Sequence, residues 1–337
     1  MVKVAYIKAN NIRDAWLSAI GQVLYDGDDI KTEYDKPNDP LSKDATVLIE
    51  VIEPFNSPIT RKDKLVMLKT KYGNSFKVYG CMADTYLIGS IQSGYIEEIM
   101  EGINDHYIWE SSLSFPYSYH DRIYNYTPFS LEDAIHIDYD LEVVNSEIVK
   151  KHQKLIQAEK IKVTPESTVW KLKNGMEFDL DKKISDQLGG IEKLPISVFN
   201  FPKINQIEYI IEKLKSEPYS RRAQAVTWRP LVDPYHHDPP CLQRIFMRIK
   251  ENKLLMQTSW RSRDLFRAWE ANVNGMIRIQ IYVAEQLNVE VGHYLDFSNS
   301  LHIYGSNIPE VKDMLLRMKN KGEPFPSDLT ELMRKET

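Results

Sequence analysis

The chain has 337 residues, 42% hydrophobic and 27% charged, which is enough to bury a sizeable core and too evenly mixed for extended disorder. A formal net charge of −5 excludes a global basic field for gripping a nucleic-acid duplex, and no run approaches the ~20 apolar residues of a membrane helix. Two cysteines, Cys81 and Cys241, can build neither a disulfide framework nor a four-thiolate metal site. The opening MVKVAYIKAN lacks the apolar run of a signal peptide, so the expectation is a soluble, cytoplasmic protein with no nucleic-acid or membrane partner.

MVKVAYIKA reads as a first strand and NIRDAWLSAIGQVLYDG as a helix: Asn11 caps it, Trp16, Ile20 and Val23 recur at helical spacing, and Gly27 ends it. Residues 45–54 and 74–82 carry the β-branched runs of strands, and 92–107 reads as a helix with Tyr95, Ile99 and Met100 on its apolar side. Residues 145–200 change character, from the charged, helix-like NSEIVKKHQKLIQAEKI to strand-like STVWKLKNGMEFDL with a central Asn-Gly turn. They are taken as an insertion or accessory region within a single domain spanning 1–337. NQIEYIIEKLKSEPYSRR is an amphipathic helix burying Ile207, Ile210, Ile211 and Leu214 and stopping near Pro218. CLQRIFMRIKENKLLMQTSWRS alternates on both sides of a KEN turn, as an antiparallel hairpin does. RAWEANVNGMIRIQIYVAEQLN follows as a long buried helix, and EVGHYLDFSNSLHIYG as a strand. The fold class is α+β, a mixed sheet packed against long helices.

One residue stands out for chemistry. Pro239 and Pro240 fix two φ angles and remove two backbone donors, so Cys241 enters its strand from a rigid approach that aims the side chain. Arg221, Arg222, Arg244 and Arg261 flank it in sequence, and guanidinium groups favour the nucleophilic thiolate. Four readings compete: a packed structural cysteine, a metal site at HHDPPC, a Cys241–His302 hydrolase pair, and a binding module without catalysis. Neighbouring histidines point apart in an extended chain and no second cysteine pair follows, so no metal is expected.

The order PYSRRAQAVTW, PPCLQRI, WRSRDLFRAWEAN, LHIY resembles the thymidylate synthase superfamily. Arg222 lies 19 residues before Cys241, Arg261 20 after, Asn272 31 after and His302 61 after. The segment matching without a gap runs over residues 203–308, and its texture is closest to the archaeal thymidylate synthases and the pyrimidine nucleotide hydroxymethylases. The resemblance implies a two-layer fold and a homodimer. It also implies a pyrimidine nucleoside monophosphate substrate, and a one-carbon donor that is 5,10-methylenetetrahydrofolate or a related reduced methylene-tetrahydropterin.

By the same resemblance Cys241 attacks C6 of the base. Arg221 and Arg222 reach the partner subunit's phosphate, while Arg261 and Ser262 hold the phosphate from within. Asn272 reads uracil, His302 and Tyr304 bond the sugar, and Asp264 lies near base and pterin. Tyr119 polarises the site during proton removal from C5, and Glu97 is preferred over Glu98 as general acid/base. Trp109 is a candidate pterin neighbour. Departures from the family pattern are Leu242 after the cysteine, Trp260 before the Arg-Ser pair, and LFRAWEAN. KTEYDKPND stands where a phosphate-binding arginine loop is expected, with Lys31 or Lys36 as substitutes, and PSDLTELMRKET stands in place of an apolar tail.

Overall fold

A computed structural model describes residues 4–54, 61–69, 75–80, 95–105, 108, 117–128, 153–165, 167–172, 177–181, 193–199, 203–230, 232–235 and 238–335. Cys81 and Trp109 lie outside the described residues. In chain order the elements are β1 (Val4–Ala9), α1 (Ile12–Asp26), β2 (Asp28–Ile30), β3 (Ser42–Val51), β4 (Arg61–Lys69), β5 (Ser75–Gly80), α2 (Tyr95–Glu101) and α3 (Tyr119–Tyr124). Then come β6 (Gln153–Val163), β7 (Ser167–Leu172), β8 (Glu177–Asp181), β9 (Lys193–Phe199), α4 (Gln206–Ser216) and β10 (Gln224–Val226). The last stretch holds β11 (Leu242–Lys250), β12 (Lys253–Trp260), β13 (Arg263–Asp264), α5 (Trp269–Leu287), β14 (Glu290–Ile303), α6 (Ile308–Asn320) and α7 (Ser327–Lys335). No helix among the described residues is long and apolar enough to cross a membrane.

The chain forms two compact units, one made of Met1–Tyr126, Ile204–Trp228 and Asp238–Thr337, the other of Thr127–Lys203 and Arg229–His237. The first is built on a mixed sheet in the order β1-β3-β14-β12-β11-β10, with β2 paired to β3 and β13 to β14. β1/β3, β12/β14 and β13/β14 run parallel and the other pairs antiparallel. Period-two alternation sends Ala45, Val47, Ile49 and Val51 of β3, and Leu254, Met256, Thr258 and Trp260 of β12, into the core. The β11–β12 hairpin turns on Glu251 and Asn252, both at positive φ (51° and 58°), as a two-residue turn matching strand twist requires.

Helices α1 and α5 carry the apolar surface that covers this sheet. Asn11 caps α1 by accepting the Asp14 amide at 2.9 Å, and buried Trp16 donates its indole N–H to the Leu265 carbonyl at 2.9 Å. α5 is buried along most of its length and ends at Asn288 in the left-handed region (φ 52°). Its Gln280 amide donates to the Leu254 carbonyl of β12 at 2.8 Å, which fixes the helix's position along the sheet. At Gly275 of α5 an added Cβ would lie 2.4 Å from the Ile99 Cδ1 and 3.5 Å from the Tyr95 ring, so the end of the Ile99 side chain occupies the space that the glycine leaves. Among the described residues α2 covers Tyr95–Glu101, ending at Glu101 and not at 107 as the sequence pattern predicts; the predicted start at 92 lies outside the described residues.

The second unit holds a four-stranded antiparallel sheet, β8-β7-β6-β9, with Trp170 buried and the Lys160 ammonium 5.7 Å from its ring centroid. Here the structure corrects the expectation of a helix through Ile161: Gln153–Val163 is a strand. β6 pairs with β7 on one side and β9 on the other, so its backbone groups find cross-strand partners and helix propensity is overridden. The turn predicted at Asn174-Gly175 lies outside the described residues, but β7 and β8 on either side pair antiparallel.

Candidate active site

The residues singled out in sequence occupy the adjoining ends of several strands of the first unit. Cys241 stands immediately before β11, Arg261 and Ser262 follow β12, Asp264 lies on β13, and His302 and Tyr304 are at and after the end of β14. Register brings them together: Leu242 faces Trp260, Asp264 faces His302, and His302 faces Asp44. A shift in pairing between Leu242 and Arg244 forms an irregularity next to Cys241, a device that re-aims side chains. Asn272 sits in the first turn of α5, and Tyr119 opens α3.

Cys241 is partly exposed, and the stiff Pro-Pro approach is clamped from the side. Arg261 donates from Nε to the Pro240 carbonyl at 3.1 Å and from Nη2 to the Pro239 carbonyl at 2.5 Å, while its backbone N–H donates to the Cys241 carbonyl at 2.9 Å. The same guanidinium lies 3.5 Å from the Asp238 carboxylate. On the other side the Leu242 N–H points to the Tyr119 hydroxyl at 3.4 Å, and Tyr119 meets Trp260 edge to face at 5.9 Å and Tyr117 at 5.6 Å. Burial pushes the hydroxyls of Tyr117 and Tyr119 up, with the Cys241 sulfur adding to the effect.

The thiol itself departs from expectation. Burial pushes Cys241 up, outweighing the downward pull of Arg261 and Arg263, and Asp238 opposes them. Arg221, Arg222 and Arg244 are exposed, so of the four arginines that flank Cys241 in sequence it is Arg261 that acts on the sulfur, joined by Arg263. It follows that alkylation of Cys241 by iodoacetamide accelerates with pH to beyond the ~8.5 of an ordinary thiol. A rate already level at pH 7, followed by mass spectrometry of the Cys241 peptide, contradicts this.

Around the sulfur lies a polar rim. His302 is 6% exposed, its ring 4.6 Å from that of Tyr304, and its Nε2 has no partner among the described residues. Burial holds the imidazole below its ordinary range, against the pull of Asp264 and Asp44. Asp264 accepts the N–H groups of Phe266 and Arg267, both at 2.9 Å, yet burial leaves its carboxyl raised. Tyr304 is pushed up to about 12 by burial and by Asp264, Tyr34, Cys241 and Asp238.

Tyr34, from the loop standing in place of an arginine loop, meets Tyr304 at 5.8 Å. Asp35 anchors that loop by accepting the Thr32 N–H and the Ser42 hydroxyl.

Asn272 is held on both sides. Its Oδ1 accepts the Arg263 Nε–H at 3.3 Å and its Nδ2 donates to the Tyr95 hydroxyl. Tyr95 in turn feels the charge of Glu98, whose carboxylate accepts from Asn104 at 3.0 Å, whereas Glu97 interacts with Glu101 and Arg278. Burial raises both carboxyls. Arg221 and Arg222 lie in the exposed loop after α4, and no contact among the described residues brings them to Cys241. Tyr34, Tyr95, Tyr117 and the buried Arg263 join the site without having been singled out for it in sequence.

Comparison with known proteins finds relatives in one family. The thymidylate synthase family model matches residues 148–330. Among curated relatives named "Putative thymidylate synthase", that of Methanosarcina mazei is 40% identical over 113 residues, 34% of this chain and 52% of the relative. That of Methanothermobacter marburgensis is 37% identical over 112 residues, 33% and 50%. The Methanocaldococcus jannaschii protein is 31% identical over 174 residues, 49% of this chain and 72% of the relative. The match thus spans about half the length of the first two. A crystal structure of the T4 phage thymidylate synthase aligns at 25% identity and a TM-score of 0.31, over 33% of this chain and 39% of that one. The family model covers more than half of the chain, and the chain belongs to the thymidylate synthase family.

Proposed function

We propose that the protein transfers a one-carbon unit to C5 of a pyrimidine nucleotide, converting deoxyuridylate to thymidylate. The observation that carries the reading is Cys241 on its clamped Pro-Pro approach, with Asn272, His302 and Tyr304 in the same unit and at the family spacing. The donor, 5,10-methylenetetrahydrofolate or a tetrahydropterin analogue, supplies the methylene group and, for a methyl product, the hydride.

The chain's own residues account for the remaining work. Cys241 adds to C6 as the thiolate, which turns C5 into a nucleophile and moves negative charge to O4 of the base. Asn272 then offers an N–H donor and a carbonyl acceptor to the base edge. Of the two candidate acids, Glu98 is the one coupled through Tyr95 to Asn272, and its raised carboxyl suits proton donation toward O4. Tyr119 and Tyr117, held protonated beside the sulfur, polarise the site when the C5 proton leaves. The free His302 Nε2 and the Tyr304 hydroxyl are available to the sugar. Arg261 and Ser262 take the phosphate, with Arg261 exchanging Asp238 for it. Arg221 and Arg222 of a second copy complete the phosphate site in a homodimer, which their exposure leaves them free to do.

Product mass spectrometry tests the reading, with deoxyuridylate, uridylate, deoxycytidylate and cytidylate each supplied with methylenetetrahydrofolate. A methyl gain on deoxyuridylate with formation of dihydrofolate is expected. A hydroxymethyl gain without pterin oxidation makes the protein a nucleotide hydroxymethylase instead, and no product from any of the four overturns the reading.

A further inference from the structure

Arg263 is 2% exposed, a fully charged side chain in the floor of the site. Its Nη1 pairs with Asp296, whose Oδ2 also accepts the Tyr294 hydroxyl at 3.1 Å and whose Oδ1 accepts from Ser298 at 3.4 Å. Its guanidinium carbon lies 3.7 Å from the centroid of the Trp260 ring. With the planar fork fixed in this way, Nε–H is left directed at the Asn272 Oδ1, at 3.3 Å.

The chemistry of that contact is one-sided. A guanidinium has five donors, no acceptor, and does not lose its proton in a protein. The Asn272 amide can therefore turn only its oxygen toward Arg263; the reversed amide would aim N–H groups at a buried cation. On the far side Tyr95 accepts from Nδ2. What the amide still offers is one lone pair on Oδ1 and one hydrogen on Nδ2, in a fixed spatial order. Uracil presents N3–H and O4, a donor followed by an acceptor. Cytosine presents N3 and its exocyclic amine, the same pair reversed. A freely turning asparagine satisfies either base by a half-rotation, whereas a locked one satisfies only one.

We propose that Arg263 is a positioning residue that locks the Asn272 amide in a single orientation and so makes the site select uracil over cytosine. This rests on the base-reading role of Asn272 proposed above. Asp296 and Trp260 take part as the mount that holds the arginine fork.

The test is the ratio of kcat/KM for deoxyuridylate over deoxycytidylate in the full chain, with methylenetetrahydrofolate as donor. The wild-type ratio should be on the order of 10⁴, as expected where a mismatched base leaves buried polar groups unpaired. In Arg263→Gln the neighbour is an amide that can donate or accept, and the ratio should fall by roughly tenfold or more. Arg263→Lys keeps a donor-only neighbour and should preserve the ratio even where turnover falls. The pair R263Q/D296N leaves no unmatched carboxylate in the core and serves where R263Q does not fold.

A purely structural role lowers kcat/KM for both nucleotides alike, so an unchanged ratio in R263Q or in the double variant overturns the proposal. A wild-type preference below roughly tenfold overturns it without any variant. The proposed function fails differently: the wild type then turns over neither nucleotide and forms no covalent adduct with 5-fluorodeoxyuridylate plus donor.

Discussion

Cys241→Ala removes turnover, with kcat falling on the order of 10⁴-fold or more, and the variant forms no covalent adduct with 5-fluorodeoxyuridylate in the presence of the donor. The size follows from what the sulfur does. Without addition at C6, C5 of the ring is not a nucleophile, and binding alone supplies no electron pair. Because Cys241 is partly exposed and none of the side-chain hydrogen bonds described around it ends on its sulfur, the variant keeps the fold and the nucleotide site. The measurement is a denaturing mass spectrum of the incubated protein beside a single-turnover rate. An adduct that survives in Cys241→Ala places the nucleophile elsewhere and removes the mechanism. Retained nucleotide binding with lost chemistry separates the cysteine's covalent role from a packing role, since a packing defect weakens both.

The second large effect is on stability. The side chains of Arg263 and Asp296 are 1% and 0% exposed, and Asp296→Ala leaves the guanidinium in the core without its counter-charge. Breaking one side of a buried ion pair costs about 3–5 kcal/mol, and the melting temperature drops by roughly 10 °C. Glu310→Ala provides the contrast. It breaks the Arg267–Glu310 pair, whose side chains are 47% and 49% exposed, so that solvent replaces the lost partner. Its effect stays within about 1 kcal/mol. Thermal unfolding of the two variants side by side decides the matter: equal shifts mean that the buried pair is not under the strain of desolvation that its position implies.

Much of this arrangement is legible in the sequence, for reasons that differ from place to place. The β11–β12 hairpin and helix α4 follow from periodicity, because each has one buried face and the polar residues fall on the other, while α5 follows from its length and apolar content, being buried along most of its length. The cysteine, the asparagine and the histidine are singled out by separations that resemble the family's; the structure puts Cys241 and His302 at strand ends and Asn272 in the first turn of α5. Strand β6 was not legible: its composition suits an exposed helix, and only the pairing with β7 and β9 makes it a strand. The direction in which the Cys241 thiol shifts was also hidden, because neighbouring arginines can be counted in a sequence but burial cannot.

The Arg263–Asp296 pair has a signal that periodicity provides once the strand is known. Tyr294, Asp296 and Ser298 occupy successive core-facing positions of β14, and a carboxylate there requires a cation from elsewhere. Trp260, a departure from the family pattern, becomes intelligible as the surface against which that cation lies flat.

Gly275 gives the helix contact another meaning. The hydroxyl that receives the Asn272 amide comes from α2, and the Ile99 side chain of α2 packs into the space left at position 275, which has nothing beyond its Cα. Under the base-reading role proposed for Asn272, the helix that supplies the partner of its amide is packed one turn further along α5, at Gly275. On that role, a methyl group added at position 275 would press first on Ile99 and reach recognition through the packing of two helices.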